Sequence, residues 1–189
     1  MSKVVYMQSI SLDGFVEGPN REIDWHRVDE ELHAYLNSTF EDVGAFLEGR
    51  VTYELMEDYW PAAGNDPSNP PVILDFARIW NDTPKYVYSR TLETAGPNAT
   101  IVREVDPQHV EELKQQHGNL MVGGADLAAQ FIELGLVTEL RVYVHPVVIG
   151  AGKPLFAPGA QLDLRLLETK QFGNGVVLLH YATDVSSVS

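Results

Sequence analysis

The sequence contains no cysteine. Disulfide frameworks, thiolate nucleophiles and cysteine-ligated metals are therefore excluded together. Positive charge is scarce too: 13 Lys and Arg stand against 27 Asp and Glu, a formal net charge of -14. A field of that sign repels polyphosphate backbones and argues against a nucleic-acid partner. No run approaches the roughly twenty apolar residues that a membrane-spanning helix needs. The segment from Met1 to Ile10 offers one lysine and a short apolar strand, without the apolar core and small-residue cleavage site of an export signal. A cytoplasmic protein is the expectation. His26, His33, His109, His117, His145 and His180 show neither H-x-x-x-H nor H-E-x-x-H spacing, so no metal site is expected. The chain also lacks a G-x-S-x-G elbow, a G-x-x-x-x-G-K-[ST] loop and a G-x-G-x-x-G fingerprint. Serine-hydrolase, phosphate-loop and ordinary dinucleotide-fold readings fail with them.

What is present is globular material: 189 residues, 44% hydrophobic and 21% charged. That length suits one domain covering residues 1–189. Apolar periodicity and turn residues predict strands at Lys3–Ser9, Val43–Leu47, Lys85–Ser89, Thr100–Arg103, Asn119–Val122 and Glu139–Ile149. Helices are predicted at Asp29–Thr39, Arg50–Tyr59, Val72–Trp80, from Asp106-Pro107 to Gly118, and at Ala125–Leu134. Four prolines between Trp60 and Pro71 predict a long loop there. Leu164–Phe172 and Val176–Tyr181 flank Gly173-Asn174-Gly175, a hairpin signal. Asp184 to Ser189 are polar, and fraying is expected. Strands alternating with helices imply an α/β domain with a largely parallel sheet, made mixed by the terminal hairpin. Ligands bind such sheets at the carboxyl ends of the strands.

Those strand ends carry the chemistry-bearing residues. Gly123-Gly124-Ala125-Asp126 joins a strand to a helix, where bare backbone and free helix N–H groups suit a pyrophosphate. A tight turn without a ligand is the competing reading. Gly49-Arg50-Val51-Thr52 has the same placement, with a guanidinium for a phosphate and a hydroxyl beside it. Ser89-Arg90-Thr91 closes a third strand. The two arginines favour NADPH over NADH. Asp13-Gly14 sits in the first loop, where Asp13 either binds a polar ligand or braces the turn. Trp25 with Asp29 and Glu30 could face a heterocycle and relay a proton. Asp29 is equally good as an N-cap, and Glu30 as an ordinary first-turn residue.

The ordered set SLDGFVEGPN, IDW, GRVTYELM, KYVYSRTL and MVGGADLAAQFIELGLVTELRVYVHPVVIGAGKPLF resembles the dihydrofolate-reductase-like superfamily. Within it, the set is similar to the reductase domain of bifunctional riboflavin-biosynthesis deaminase-reductases, in stand-alone form. The resemblance covers residues 3 to 182 and implies a three-layer α-β-α domain with a mixed sheet and a C-terminal antiparallel hairpin. It implies NADPH as cofactor. Gly49, Arg50, Thr52, Ser89 and Arg90 would hold the adenosine phosphate end, and Gly123, Gly124, Ala125 and Asp126 the pyrophosphate. The loop carrying Ser9, Asp13 and Gly14 would close over the nicotinamide. Trp25 would line the acceptor pocket, with Asp29 or Glu30 as the catalytic acid. A homodimer joined through sheet-edge strands is also implied, as is the family activity, 5-amino-6-(5-phosphoribosylamino)uracil reductase.

Three departures shape the expected substrate. No deaminase domain is expected within these 189 residues. Val122 stands where those reductases carry an acid before the glycine pair. Twelve acids and three bases lie between Glu17 and Asp58, so a neutral or cationic acceptor is expected rather than a phosphorylated pyrimidine. The reading is an NADPH-dependent reductase of a small heterocyclic or carbonyl-type acceptor. The rivals are a non-catalytic NADP-binding regulatory domain and a purely structural dimer module.

Overall fold

The structure is a computed structural model and describes residues 1–183; the fraying expected at Asp184–Ser189 lies outside the described residues. The strands are β1 (Val4–Ser11), β2 (Phe15–Glu17), β3 (Val43–Gly49), β4 (Lys85–Tyr88), β5 (Ala99–Val102), β6 (Asn119–Gly123), β7 (Glu139–His145), β8 (Lys153–Pro154), β9 (Leu164–Gln171) and β10 (Val177–Thr183). The helices are α1 (Glu30–Phe40), α2 (Arg50–Ala63), α3 (Pro71–Asp82), α4 (Pro107–His117) and α5 (Ala125–Glu133).

Eight strands form one sheet in the order β5-β4-β3-β6-β1-β7-β10-β9. The six from β5 to β7 run parallel. β10 is antiparallel to both β7 and β9, so the C-terminal hairpin closes a mixed sheet. β2 and β8 make a separate antiparallel ribbon.

Strand alternation divides the core into layers. Val4, Tyr6, Leu47, Leu120, Val122 and Leu140 pack beneath α4 and α5 through Val110, Leu113, Leu127 and Phe131. On the other face, Phe46 and Val87 meet Tyr53 of α2 and Phe76 and Trp80 of α3. The Phe46 and Trp80 rings stack at 5.7 Å, and each large buried side chain contributes roughly 2–3 kcal/mol. α1 seats Leu32 against Tyr143, Phe172 and Leu178 on that same face. The parallel strands all end on one rim, where their following loops converge.

Boundaries moved where packing overrode local signals. α2 continues through Pro61 to Ala63, because Trp60 packs on Phe76 at a ring distance of 4.4 Å and holds the last turn. α3 starts at Pro71 and runs to Asp82; a proline at the first helical position forfeits only a free N–H. β7 stops at His145, since Pro146 has no N–H to continue the ladder. The β2–β8 ribbon was not anticipated. No helix among the described residues is long and apolar enough to cross a membrane.

Candidate functional site

A cavity of about 500 Å³ opens at the carboxyl rim of the sheet. Gly49, Arg50 and Thr52 line it from the start of α2, and Gly124, Ala125 and Asp126 from the start of α5. The neighbouring register is close: β3 pairs with β6 so that Glu48 lies opposite Gly123. Two helix N-termini therefore point into one space.

Both begin on glycine, Gly49 for α2 and Gly124 for α5, and neither has a side chain closing its first turn. Their leading N–H groups are left for an anion, reinforced by the positive ends of two helix dipoles. Gly124 adopts φ +93°, and a Cβ there would lie 2.7 Å from Thr52 Oγ1. Glycine is required by both backbone and space. The Thr52 hydroxyl thus stands against bare backbone at the mouth of α5.

The charge around this cavity opposes that of the molecule. Arg21, Arg50 and Lys153 line it against Glu17 and Asp126, in a chain whose net charge is -14. Lys153 pairs with Asp126, and Arg50 pairs with Glu54 one turn along α2 at 2.6 Å. These pairs are exposed and exchangeable. Arg21 and Lys153 were not singled out from sequence; Lys153 arrives from the β2–β8 ribbon, which only the fold reveals.

His26 also lines the cavity. Its ring stacks on that of His145 at 5.1 Å, and Trp25 packs edge-on against both. The Arg27 N–H donates to His145 Nδ1 at 2.9 Å. Burial first, then the His26 and Arg27 charges, push the His145 imidazole down to about 4. Burial lowers His26 as well. Both rings are therefore neutral near pH 7, a packed wall rather than a metal pair. Among the described residues no group of three or more His, Cys, Asp and Glu could hold a metal.

The remaining predicted residues are dispersed around this centre. Asp13 accepts from the Gly150 N–H at 2.8 Å and the Ile149 N–H at 3.2 Å, bracing the first loop against the one after β7. Gly14, at φ +88°, makes the turn of that loop. Ser9 pairs with Tyr143 across the β1–β7 ladder. The Ser89 hydroxyl is buried and accepts from the Thr91 and Leu92 N–H groups; Arg90 beside it is exposed. Trp25 donates its indole N–H to the Glu22 carbonyl at 3.0 Å.

Asp29 and Glu30 line a different, open hollow of about 410 Å³, with His33, Trp60 and Pro70. The Asp29 carboxylate is the N-cap of α1, accepting from the Leu32 N–H at 2.9 Å. Of the three residues expected to line the acceptor pocket, Asp29 and Glu30 share this hollow, while Trp25 packs against His26 and His145. The first turn of α1 opens onto the hollow between α1 and the segment before α3, and Trp60 of that hollow reaches Met56 of the cavity at 3.4 Å.

One acid does stand at the double N-terminus. Glu48, the last side chain of β3 before Gly49, is 2% exposed. Its carboxyl fills the space over Gly123, where any Cβ would collide with it. Its Oε2 is buried without a hydrogen-bond partner among the described residues. Burial pushes the carboxyl up to about 8 despite the opposing pull of Lys85. The Lys85 ammonium instead donates to the carbonyls of Trp80 and Thr83. A lone acid closing the apolar run Val43–Leu47 was the available signal in the sequence.

A mixed sheet between helix layers, with glycine-opened helix starts at its carboxyl rim, is a fold of the dihydrofolate-reductase type. The chain belongs to the RibD C-terminal domain family, which it matches over residues 2–178. A curated relative, the uncharacterized protein YyaP of Bacillus subtilis, is 33% identical over 182 residues, 95% of this chain and 94% of that protein. Among solved structures, a riboflavin biosynthesis protein from Shewanella superposes with a TM-score of 0.73 at 18% identity, covering 97% of this chain and 99% of that one. A dihydrofolate reductase from Enterococcus faecalis, solved with NADP(H), superposes with a TM-score of 0.65 at 9% identity, covering 96% of each. At such identities these structures speak to the fold.

Proposed function

We propose that this protein is an NADPH-dependent reductase delivering hydride to a small heterocyclic or carbonyl-type acceptor. The observation that carries this reading is the pair of uncapped helix starts, Gly49 and Gly124, converging on one cavity. The cradle fits a dinucleotide. N–H groups of Gly124, Ala125 and Asp126 would take the pyrophosphate, and Arg50 and Thr52 a neighbouring phosphate. Ser89 and Arg90, ending the next strand over, would flank the adenosine phosphate. Asp13 and Gly14 would set the first loop over the nicotinamide end, with Ser9 beneath it. When bound, the cofactor supplies the hydride; the chain orients it and excludes water.

The acceptor is neutral or cationic in this reading. Acids outnumber bases across residues 17–58, and a second phosphorylated ligand would compete for the same few basic groups. A riboflavin-type pyrimidine lacking its phosphate fits better than the phosphorylated one. The second reading, a non-catalytic NADP-binding regulatory domain, draws on Asp29 being engaged as a helix cap. A homodimer belongs to the proposal as well. β9 is one of the sheet's two edge strands and leaves Leu164, Leu166 and Leu167 exposed, an edge that pairing with a second copy would cover.

The test is calorimetric titration with NADPH and NADH, followed by NADPH oxidation with dihydropterins, aminopyrimidines, flavins and quinones. Saturable binding that prefers NADPH, with turnover of one acceptor class, is expected. Absence of NADPH binding overturns the reading; binding with no turnover by any class transfers it to the regulatory alternative.

A further inference from the structure

The cavity at the carboxyl rim has a second wall, made by the loops after β1 and β7 rather than by helix starts. β2 and β8 pair there, with Glu17 opposite Lys153. The two loops are tied along their length. The Leu12 N–H donates to the Val147 carbonyl at 2.7 Å, and the Leu155 N–H to the Gly14 carbonyl at 3.0 Å. Asp13 holds the N–H groups of Ile149 and Gly150. Any Cβ at Gly152 would collide with the Glu17 carbonyl, so the two backbones approach as closely as glycine allows. Lys153 is therefore set on a braced base, and it lines the same cavity as Gly124, Ala125 and Asp126.

Lys153 passes over its cross-strand acid. Glu17 lies opposite it in the ribbon and lines the same cavity, yet the ammonium pairs with Asp126 of α5. The Asp126 side chain is 82% exposed, and such a pair adds only about 0–1 kcal/mol to stability. Asp126 belongs to the first turn of α5, where the helix dipole favours negative charge. In the free protein Asp126 thus supplies an anion at an open helix start, and Lys153 supplies the countercharge. A phosphate on the N–H groups of that turn would present the same arrangement, an anion at the mouth of α5 with an ammonium beside it.

We propose that Lys153 is a cofactor-binding residue of this protein, exchanging Asp126 for the diphosphate of the dinucleotide when the cofactor binds. This rests on the reductase reading above and adds a regulatory contact to the same site. The Lys153–Asp126 pair is the resting state. Lys153 needs no movement of its backbone to meet a diphosphate held by Gly124, Ala125 and Asp126, because its ammonium already stands at Asp126. Asp126, being exposed, turns to solvent, which takes a carboxylate away from the phosphates it would repel. Lys153 then joins α5 to the ribbon through the ligand, and the loops after β1 and β7 are held over it. NADPH and NADH share the diphosphate. Lys153 therefore adds affinity for both and leaves the choice between them to Arg50 and Arg90.

The test uses the full chain with K153M, K153R and D126N. Affinities for NADPH and NADH are measured calorimetrically, and hydrogen exchange of the Gly150 and Leu155 amides is followed with and without NADPH. K153M should weaken NADPH and NADH by the same factor, about tenfold. K153R, which keeps the charge, should stay within about threefold of wild type. D126N should bind both cofactors about threefold more tightly. Without cofactor, K153M and D126N should both exchange Gly150 and Leu155 faster than wild type. Saturating NADPH should restore protection in D126N, where Lys153 still meets the diphosphate, and leave K153M unprotected.

A loss confined to NADPH overturns the assignment to the diphosphate. Unchanged affinity in K153M, weaker binding by D126N, or protection restored equally in K153M overturns the change of partner. The reductase reading survives each of these results. If wild type binds neither NADPH nor NADH, the reductase reading fails, and inorganic pyrophosphate becomes the probe. Shifts of the Gly124, Ala125 and Asp126 amide resonances that are lost in K153M then uphold the role of Lys153; their absence from wild type overturns it as well.

Discussion

Two hollows in this molecule lie at helix N-termini, and they are built in opposite ways. At the start of α1, Asp29 closes the first turn with its own carboxylate, and the hollow beside it adds Glu30 and His33 but neither Lys nor Arg. At the starts of α2 and α5, glycine leaves the first turns open, and three basic side chains share the cavity. α4 follows the first pattern, with Asp106 accepting from the Gln108 N–H at 2.9 Å. A closed N-terminus stabilises its helix; an open one forgoes that stabilisation and keeps its dipole and N–H groups for a ligand. An open start alone is not the distinction, since α3 begins at Pro70 with no side-chain cap either; what sets α2 and α5 apart is that two open starts and three basic side chains share one cavity.

The sharpest way to break the contrast is at Gly124. Gly124→Ala meets both φ +93° and the Thr52 hydroxyl at 2.7 Å. The left-handed backbone costs an alanine about 1–2 kcal/mol, and the displaced turn withdraws N–H groups from the pyrophosphate position. NADPH affinity should fall by about a hundredfold, the equivalent of roughly 2.7 kcal/mol, with a lower Tm. Calorimetry and a thermal melt check both. Affinity within threefold of wild type would remove Gly124 from the site.

Gly49→Asp converts an open start into a closed one. Gly49 has φ -67° and ψ 149°, ordinary for any residue, and a Cβ there would meet Leu127 Cβ at 3.7 Å, normal contact. The new carboxylate should cap α2 and raise stability by a few tenths of a kcal/mol. Its charge would face the phosphate, so NADPH affinity should drop by about tenfold or more. The two effects carry opposite signs, and seeing both in one variant would distinguish site loss from misfolding. A variant that gains stability and keeps NADPH affinity would show that α2 does not meet a phosphate.

Acid should act on the open side through its histidine wall. His145 titrates at about 4 in the folded protein, below its ordinary 6.5, because burial and the neighbouring His26 and Arg27 disfavour its charge. Between those values the unfolded chain binds more protons, so stability present above pH 6.5 is lost as pH falls toward 4. His145→Asn keeps an acceptor for the Arg27 N–H and removes the titration. Its Tm should therefore decline less than that of wild type between pH 6.5 and 4.5. Parallel declines would show that other groups dominate the acid response.

The layers, the mixed sheet and the terminal hairpin were legible in sequence, because apolar periodicity and turn glycines are local signals that the packing respects. So was the placement of Gly49 and Gly124 between strand and helix. The company they keep was less legible. Lys153 reaches Asp126 across 27 positions, and Arg27 reaches His145 across 118; no local pattern encodes such pairings. Asp29 shows the opposite difficulty. Its sequence context allowed both an N-cap and a proton donor, and the structure gives its carboxylate to the Leu32 N–H. Glu48 carried a signal, a charge closing an apolar strand, but its burial depends on Gly123 lying opposite it in a neighbouring strand 75 positions later in the chain.

The smallest expected effects come from the closed starts, and they complete the comparison. Asp106→Ala removes the acceptor of the Gln108 N–H, and Asp29→Ala that of the Leu32 N–H. Each should cost about 1 kcal/mol of stability, read as a lowered midpoint in urea with an unchanged slope. Neither helix start faces the cavity that Gly49 and Gly124 share, so NADPH affinity should stay within about twofold of wild type, less than roughly 0.4 kcal/mol. A loss of affinity in Asp29→Ala but not in Asp106→Ala would mean that the hollow at α1 communicates with the cofactor cavity. Asp29 would then return as a ligand-directed residue, and the division between structural and functional helix starts would have to be redrawn with α1 on the functional side.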